Sequence, residues 1–255
     1  MKEKRTVYYK TEEDDFFHTK KKAPAIDGSY KYEKCALMRF VSFILYRLIA
    51  KPLAFLYTKL KFGERIIGKE KLSPYKKSGF FIYSNHTQPI ADALTPNMLL
   101  YSKRVCVIVN KENLCLPVIG KSTALLGALP LPDSIDAVKN FQSTIKKNLD
   151  AGAAITVYPE AHVWPYYTGI RSFSETAFEF PLRYSSPVFV ATRVYKKRRR
   201  SKKPRCEIYV DGPIFPDKNL KKQDSRRALS AEVFNTMSSR AALSDCEYII
   251  YKKEE

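Results

Sequence analysis

The chain has 255 residues, 45% of them apolar and 13% aromatic, which suffices for a buried core and excludes a wholly disordered protein. Its 45 basic and 26 acidic residues give a net charge of +19. This excess of positive charge indicates an anionic partner. The candidates are nucleic acid, an acidic protein, a phosphorylated substrate and an anionic membrane. The five cysteines are widely spaced and form no Cys-x-x-Cys pair, so we expect reduced thiols in a cytosolic compartment.

The first segment, residues 1–34, is polar, mixed in charge and without helical periodicity. We expect a polar N-terminal extension and assign no secondary structure to it. Two aromatic pairs, Tyr8-Tyr9 and Phe16-Phe17, are its candidates for anchoring on another part of the protein. We expect no signal peptide, because the segment lacks an apolar central region.

The next segment, residues 35–62, is the most apolar part of the chain, but basic side chains interrupt it. These are Arg39, Arg47, Lys51 and Lys59. No uncharged run approaches the roughly 18 to 20 residues that a membrane span requires, and Pro52 should break or kink a helix. We therefore predict two short amphipathic helices on a membrane surface, with basic groups reaching the lipid head groups. A pair of core-packing helices is the alternative.

The remaining chain, residues 63–255, alternates between strand and helix patterns and is expected to form one domain. The predicted strands are residues 79–83, 105–109, 153–158, 187–194, 206–210 and 247–251. The predicted helices are residues 90–100, 117–127, 173–184, 220–240 and one capped by Asp133 or Ser134 whose apolar positions run from Ile135 to Leu149. This order predicts an α/β fold with a largely parallel or mixed sheet flanked by helices. The basic turn at residues 196–205 predicts an antiparallel addition.

The first candidate for chemistry is His86, which directly follows a predicted strand, with Asp92 a short distance further on. Ligands of open α/β sheets bind at the carboxyl ends of the strands. A carboxylate can keep one imidazole nitrogen protonated while the other nitrogen accepts a proton from a hydroxyl. The spacing alone favours the plainer alternative, a turn histidine followed by an aspartate in the first turn of a helix.

A second predicted strand end carries Glu160, and Arg171 follows in the same connection. Because parallel strands end at one edge of a sheet, we expect these two residues to share a crevice with His86 and Asp92. The alternatives are a loop carboxylate or helix cap for Glu160 and a solvated cation for Arg171. No His-x-x-x-His pair or cysteine cluster supports a metal site, so no metal is expected.

In order and content these blocks resemble the glycerolipid acyltransferase family, the lysophosphatidic acid acyltransferase-like or 1-acyl-sn-glycerol-3-phosphate acyltransferase enzymes. Asn85-His86 through Asp92 resembles the family's Asn-His-x4-Asp block, and Tyr158-Pro159-Glu160 resembles its Phe-Pro-Glu-Gly-Thr-Arg-Ser block. Residues 186–191 resemble its fourth block, and the middle block falls near residues 126–130. The similarity covers residues 70 to 215.

The chain departs from the family pattern at three places. Five residues, and not four, stand between His86 and Asp92. Ala161-His162-Val163-Trp164 replaces Gly-Thr-Arg-Ser, so Arg171 is the candidate substitute for the lost arginine although it lies too far along to align. Asp133-Ser134 stand where the middle block usually ends in a phosphate-binding arginine. These departures concern the phosphate site of the acceptor more than the base.

The resemblance implies transfer of a fatty acyl group from acyl-CoA or acyl carrier protein to a lysophospholipid hydroxyl, with 1-acyl-glycerol-3-phosphate as the expected acceptor, in phospholipid synthesis. His86 would be the general base, Asp92 would orient it, and Glu160 and Arg171 would bind the acceptor. No cofactor besides the acyl donor, no metal and no covalent enzyme intermediate is implied. The expected location is the cytoplasmic face of an anionic membrane, as a peripheral or monotopic protein.

The basic run at residues 196–203 suggests a second function, that of a non-enzymatic basic protein that binds membrane or RNA and retains the fold. The run has no interleaved aromatic residues for base stacking, and no DNA- or RNA-binding motif accompanies it. We therefore expect contact with anionic lipid and no specific nucleic acid partner. A solvated loop is the remaining alternative.

Overall fold

The computed structural model describes residues 5–16, 23–115 and 120–254. Within these ranges the strands are β1 (Arg5–Tyr9), β2 (Arg65–Ile67), β3 (Phe80–Ser84), β4 (Val105–Val109), β5 (Ala128–Pro130), β6 (Ala154–Val157), β7 (Val188–Arg198), β8 (Ser201–Ile214) and β9 (Ile249–Lys253). The α-helices are α1 (Ala36–Ile44), α2 (Lys51–Phe62), α3 (Ala91–Leu94), α4 (Pro96–Leu99), α5 (Gly120–Thr123), α6 (Ile135–Asp150), α7 (Glu179–Tyr184) and α8 (Lys222–Ala241).

Seven of the strands form one mixed sheet in the order β2-β8-β7-β3-β6-β4-β5. The five strands from β7 to β5 run parallel to one another, while β8 is antiparallel to β7 and β2 runs parallel to β8. The predicted α/β fold with a mixed sheet is thus confirmed. The sequence pattern missed β2 and β5, because strands of three residues are too short to show periodicity.

The centre of the sheet is buried on both faces, which explains the unbroken apolar run of β3. Phe81 and Tyr83 belong to the core on one face, together with Phe141 of α6. Phe80 and Ile82 belong to the core on the other face. This alternation follows from the two-residue repeat of a strand.

Helix α6 is capped by Ser134, one of the two predicted cap residues, whose hydroxyl accepts a hydrogen bond from the Ala137 amide. Phe141, Ile145 and Leu149 belong to the core on the sheet, and Phe141 is 2% exposed, whereas the first predicted apolar position, Ile135, is exposed. We expect Phe141→Ala to lower the free energy of unfolding by about 3–5 kcal/mol, because it leaves a cavity in the core. Ile135→Ala on the same helix, at a side chain 85% exposed, should change it by less than about 0.5 kcal/mol. Urea denaturation measures both, and equal effects would contradict this packing.

The N-terminal helix, Ala36–Phe62, is continuous, so the predicted pair of separate short helices is wrong. A π-helical segment, Leu45–Ala50, joins α1 to α2. Pro52 is the second residue of α2, next to this π-helical segment, and the helix continues past it. The helix is long and apolar enough to cross a membrane by length and composition alone, and only 22% of its most apolar window is buried.

One side of the N-terminal helix faces the domain, and polar groups fasten it there. The Lys51 ammonium donates to the main-chain oxygens of Tyr101 and Lys103 at 2.7 and 2.8 Å. The opposite side exposes large apolar side chains: Leu37, Met38, Phe40, Val41, Phe43, Leu48, Ile49, Leu53, Phe55, Leu56 and Leu60. The helix is therefore amphipathic: one side contacts the domain, and the other side is apolar and uncovered.

The N-terminal segment, left unassigned from the sequence, contributes a strand. Strand β1 pairs in parallel with β9 in a separate two-stranded sheet. The segment covers Trp164, since the rings of Tyr9 and Phe16 lie 4.6 and 5.4 Å from the indole. The indole N–H also donates to the Asp14 main-chain oxygen at 2.7 Å. Both aromatic pairs thus contribute to anchoring through one member, while Phe17 lies outside the described residues.

Trp164 is the only tryptophan of the chain and is 1% exposed, so its fluorescence reports on this cover. We expect Tyr9→Ala to move the emission maximum to longer wavelength and to increase quenching by iodide, because it removes a ring from the indole face. Tyr8→Ala is the matched control, since Tyr8 on the same strand is 57% exposed. Similar spectra for the two variants would show that the segment does not cover the indole in solution.

Candidate active site

The carboxyl end of β3 brings His86 and Asp92 together, with imidazole Nδ1 2.9 Å from carboxylate Oδ2. The extra residue between them is absorbed by a turn in which the Asp92 amide donates to the Gln88 carbonyl at 3.1 Å. Asp92 stands in the first turn of α3, and Oδ2 also accepts from the amides of Thr87 and Gln88 at 2.8 and 2.7 Å. The carboxylate therefore closes the loop and orients the imidazole at the same time.

The ring of Tyr158 stacks on the His86 imidazole, with the two ring centroids 4.4 Å apart. The Tyr158 hydroxyl donates to the main-chain oxygen of Asp92. The histidine side chain is 18% exposed, against 2% for Asp92. Because Nδ1 faces the carboxylate, Nε2 is the nitrogen that can receive a proton from a bound hydroxyl.

The asparagine before the histidine fastens the end of β3 to β7. Its side-chain amide donates to the Arg193 carbonyl at 3.1 Å, and its side-chain oxygen accepts from the Arg193 amide at 2.8 Å. Asn85 is 1% exposed. Both of its polar atoms are thus used on the main chain of the neighbouring strand, which fixes where His86 leaves the sheet.

Glu160 lies beside this pair, as the strand pattern predicted. Its carboxylate accepts from the His86 amide at 2.7 Å and from the Arg171 amide at 2.8 Å. Burial raises the pKa of Glu160, while the Arg171 guanidinium and these two amides act in the opposite direction. The carboxylate therefore joins the two connections that carry His86 and Arg171, and its predicted contact with an acceptor stays a prediction.

Arg171 lies next to Glu160 although the two residues are apart in sequence, because the loop that begins at Ala161 folds back to Glu160. Its guanidinium lies 3.6 Å from the Glu160 carboxylate and 4.9 Å from the centre of the Trp164 ring. It also donates to the main-chain oxygens of Glu12, at 3.0 Å, and of His162. The side chain is 1% exposed, which excludes a solvated cation. Burial lowers the pKa of Arg171, and Glu160 opposes this.

Glu12 also binds the residue after this arginine, Ser172, through its carboxylate. The Ser172 amide and hydroxyl donate to it at 2.9 and 2.5 Å, which lowers the pKa of Glu12. The N-terminal segment therefore covers the guanidinium of Arg171. With 1% of the side chain exposed, the guanidinium offers almost no surface to a phosphate in this arrangement.

Two buried charged residues of the site were not predicted, Arg193 and Glu64. Arg193 Nε lies 3.2 Å from Asp92 Oδ1, and one terminal nitrogen lies 3.0 Å from Glu64 Oε2. Burial opposes the charge of Arg193, but Glu64 and Asp92 more than offset this and raise its pKa well above the ordinary value. An arginine inside an otherwise apolar strand was the available sequence signal, because unpaired arginine is almost never buried.

The remaining motif residues lie further from the dyad. Asp133 accepts from the Ile26 amide at 3.0 Å and pairs with Lys111 at 3.0 Å, while Ser134 is the helix cap. The basic run is mostly strand, since β7 ends at Arg198 and β8 begins at Ser201. In the part of the chain that the structure describes, no group of three His, Cys, Asp or Glu side chains could hold a metal ion.

Comparison with known proteins bears on this arrangement at two levels. The family model named Acyltransferase matches residues 65–194, just over half of the chain, and that range holds the dyad, Glu160 and Arg171. No curated protein matches the chain.

Among solved structures, the crystal structure of the 1-acyl-sn-glycerophosphate (LPA) acyltransferase PlsC from Thermotoga maritima matches with a TM-score of 0.51. The identity is 14%, and the match covers 81% of this chain and 94% of that chain. At this identity the likeness concerns the fold, and it agrees with the mixed sheet found here. The resemblance to glycerolipid acyltransferases predicted from the motifs is therefore confirmed, and the chain belongs to the acyltransferase family.

Proposed function

We propose that this acyltransferase moves a fatty acyl group from the thioester of acyl-CoA or acyl carrier protein to the hydroxyl of a lysophospholipid. The observation that carries the proposal is the His86–Asp92 pair, 2.9 Å apart at the carboxyl edge of the sheet. The match to a protein described as an LPA acyltransferase makes 1-acyl-glycerol-3-phosphate the first acceptor to test.

In the proposed reaction, His86 Nε2 removes the proton of the acceptor hydroxyl as its oxygen attacks the thioester carbonyl carbon. Asp92 accepts the Nδ1 proton in a hydrogen bond, which selects the tautomer and stabilises the imidazolium. The tetrahedral intermediate then collapses, the carbon–sulfur bond breaks, and the leaving thiolate takes the proton from His86. This sequence needs no metal, no cofactor besides the donor and no covalent enzyme intermediate.

Glu160 and Arg171 have different parts in this proposal. Glu160 holds the His86 amide and so keeps the base at the edge of the crevice. Arg171 is proposed to bind the acceptor phosphate, which requires the main-chain oxygen of Glu12 to give up its contact with the guanidinium. Displacement of the N-terminal segment would therefore accompany acceptor binding.

The proposed location is the cytoplasmic face of an anionic membrane, with the protein peripheral or monotopic. Support comes from the uncovered apolar side of the N-terminal helix, where Phe40 and Phe43 are 63% and 59% exposed. The net charge of +19 favours an anionic surface, and the basic run at the tip of the β7–β8 hairpin adds to the attraction.

The first test of the function is removal of the base. We expect His86→Ala to lower the rate of CoA release from acyl-CoA and lysophosphatidate by about 10²- to 10⁴-fold, the usual loss for a general base. Asp92→Asn should cost as much or less, and the double variant should be no slower than His86→Ala, because the two residues act as one unit.

His162→Ala is the matched control, since this histidine lies in a neighbouring loop and pairs with Asp15 at 3.5 Å. It should retain the wild-type rate. All variants are compared at matched thermal stability. Near-wild-type CoA release by His86→Ala would exclude His86 as the base, and a wild-type protein that consumes no thioester with any lysolipid would favour a non-catalytic membrane- or RNA-binding protein.

The second test concerns the membrane. We expect the pair Phe40→Gln and Phe43→Gln to reduce flotation with vesicles more than tenfold, because burial of each ring contributes about 1.5–3 kcal/mol. The pair Lys202→Gln and Lys203→Gln should weaken binding several-fold, only on anionic vesicles and only at low salt. Ile135→Gln serves as control, because Ile135 is an exposed apolar residue outside the N-terminal helix. Unchanged flotation of the phenylalanine variant would contradict the proposed surface.

A further inference from the structure

A buried charge cluster lies behind the dyad, on the Asp92 side of the imidazole. It consists of Arg193, Glu64 and Asp92, which are 3%, 6% and 2% exposed. One cation faces two carboxylates, so the cluster carries one net negative charge when all three groups are ionised. Buried charges are costly unless each is paired, and here each has a partner within 3.2 Å.

The arginine fork fits this place through three directed contacts. Nε reaches Asp92 Oδ1 at 3.2 Å, one terminal nitrogen reaches Glu64 Oε2 at 3.0 Å, and the other donates to Thr95 Oγ1 at 2.6 Å. Thr95 in turn donates to Glu64 at 2.9 Å. Arg193 thus binds Oδ1, while the imidazole and the two loop amides share Oδ2 of Asp92.

The charge count distinguishes Glu64 from a simple packing residue. An arginine paired with Asp92 alone would neutralise the carboxylate that faces His86, whereas Glu64 restores one negative charge to the cluster. Other titratable groups around the dyad are neutral or paired: Tyr158, Tyr195 and Cys206 have pKa values raised by burial, and Glu160 is matched by Arg171.

We propose that Arg193 and Glu64 are positioning residues of the acyl transfer. Arg193 fixes the Asp92 carboxylate in the orientation that His86 uses, and Glu64 supplies the net negative charge that favours the imidazolium formed when Nε2 takes the proton. The kinetic part rests on the proposed function, while the effect of Glu64 on the charge of the imidazole is a property of the protein alone.

The charge effect is tested by NMR titration of the His86 imidazole, whose signal is identified by its loss in His86→Ala. Gln in place of Glu64 keeps an oxygen for Arg193 and Thr95 but removes the charge. We expect Glu64→Gln to move the titration midpoint of His86 to lower pH by about half a unit, because removal of a negative charge disfavours the cation.

Glu207→Gln is the matched control. Glu207 is 7% exposed, lines the same surface cleft as Glu64, and pairs with Arg205 at 3.1 Å outside the cluster. It should leave the midpoint of His86 unchanged. A folded Glu64→Gln protein with the wild-type midpoint would overturn the charge role, and so would an equal shift in Glu207→Gln.

Arg193→Lys tests the positioning role by a second route. Lysine keeps the charge but lacks the fork that reaches Asp92, Glu64 and Thr95 together. We expect kcat to fall at least tenfold with KM changed less than about twofold, and the midpoint of His86 to stay in place. Wild-type kcat in this variant would overturn the role of Arg193. If the wild-type protein releases no CoA, the proposed function fails, and the titration still decides the action of Glu64.

Discussion

The Asp92 carboxylate is the point on which the arrangement of the site depends. It accepts hydrogen bonds from two loop amides and from Arg193 Nε, and it also hydrogen-bonds with the imidazole of His86. A carboxylate with this many partners ties the turn after β3 to the start of α3 and to β7. The loop that carries His86 is consequently fixed by the same carboxylate that orients its imidazole.

Glu160 has the corresponding function on the next strand. It joins the amide of His86 to the amide of Arg171, and the arginine is covered in turn by the N-terminal segment. Trp164 contacts Tyr9 of β1, Tyr251 of β9 and the guanidinium of Arg171, which links both terminal strands to the site. The connection after Glu160 thus returns to its carboxylate through the amide and the guanidinium of Arg171.

The N-terminal helix has one side that contacts the domain and another side that is apolar and uncovered. Its polar groups, among them Lys51, are satisfied by main-chain oxygens of the domain, so that side cannot be exchanged for lipid without cost. Its other side leaves apolar area uncovered, which a monomer in water does not favour. A π-helical segment precedes Pro52, and the helix continues past the proline to Phe62.

The sequence by itself determined the α/β class, the central strands and the two strand ends that carry His86 and Glu160, because apolar period and strand-end position are local properties. Tertiary structure decided the rest. Three contacts depend on strand order and loop path. They join Asp92 to His86 across an additional residue, Arg171 to Glu160, and Arg193 to Glu64, 129 positions apart. Such pairs leave no periodic signal in the chain, since each partner is selected only by what folding places within hydrogen-bond distance.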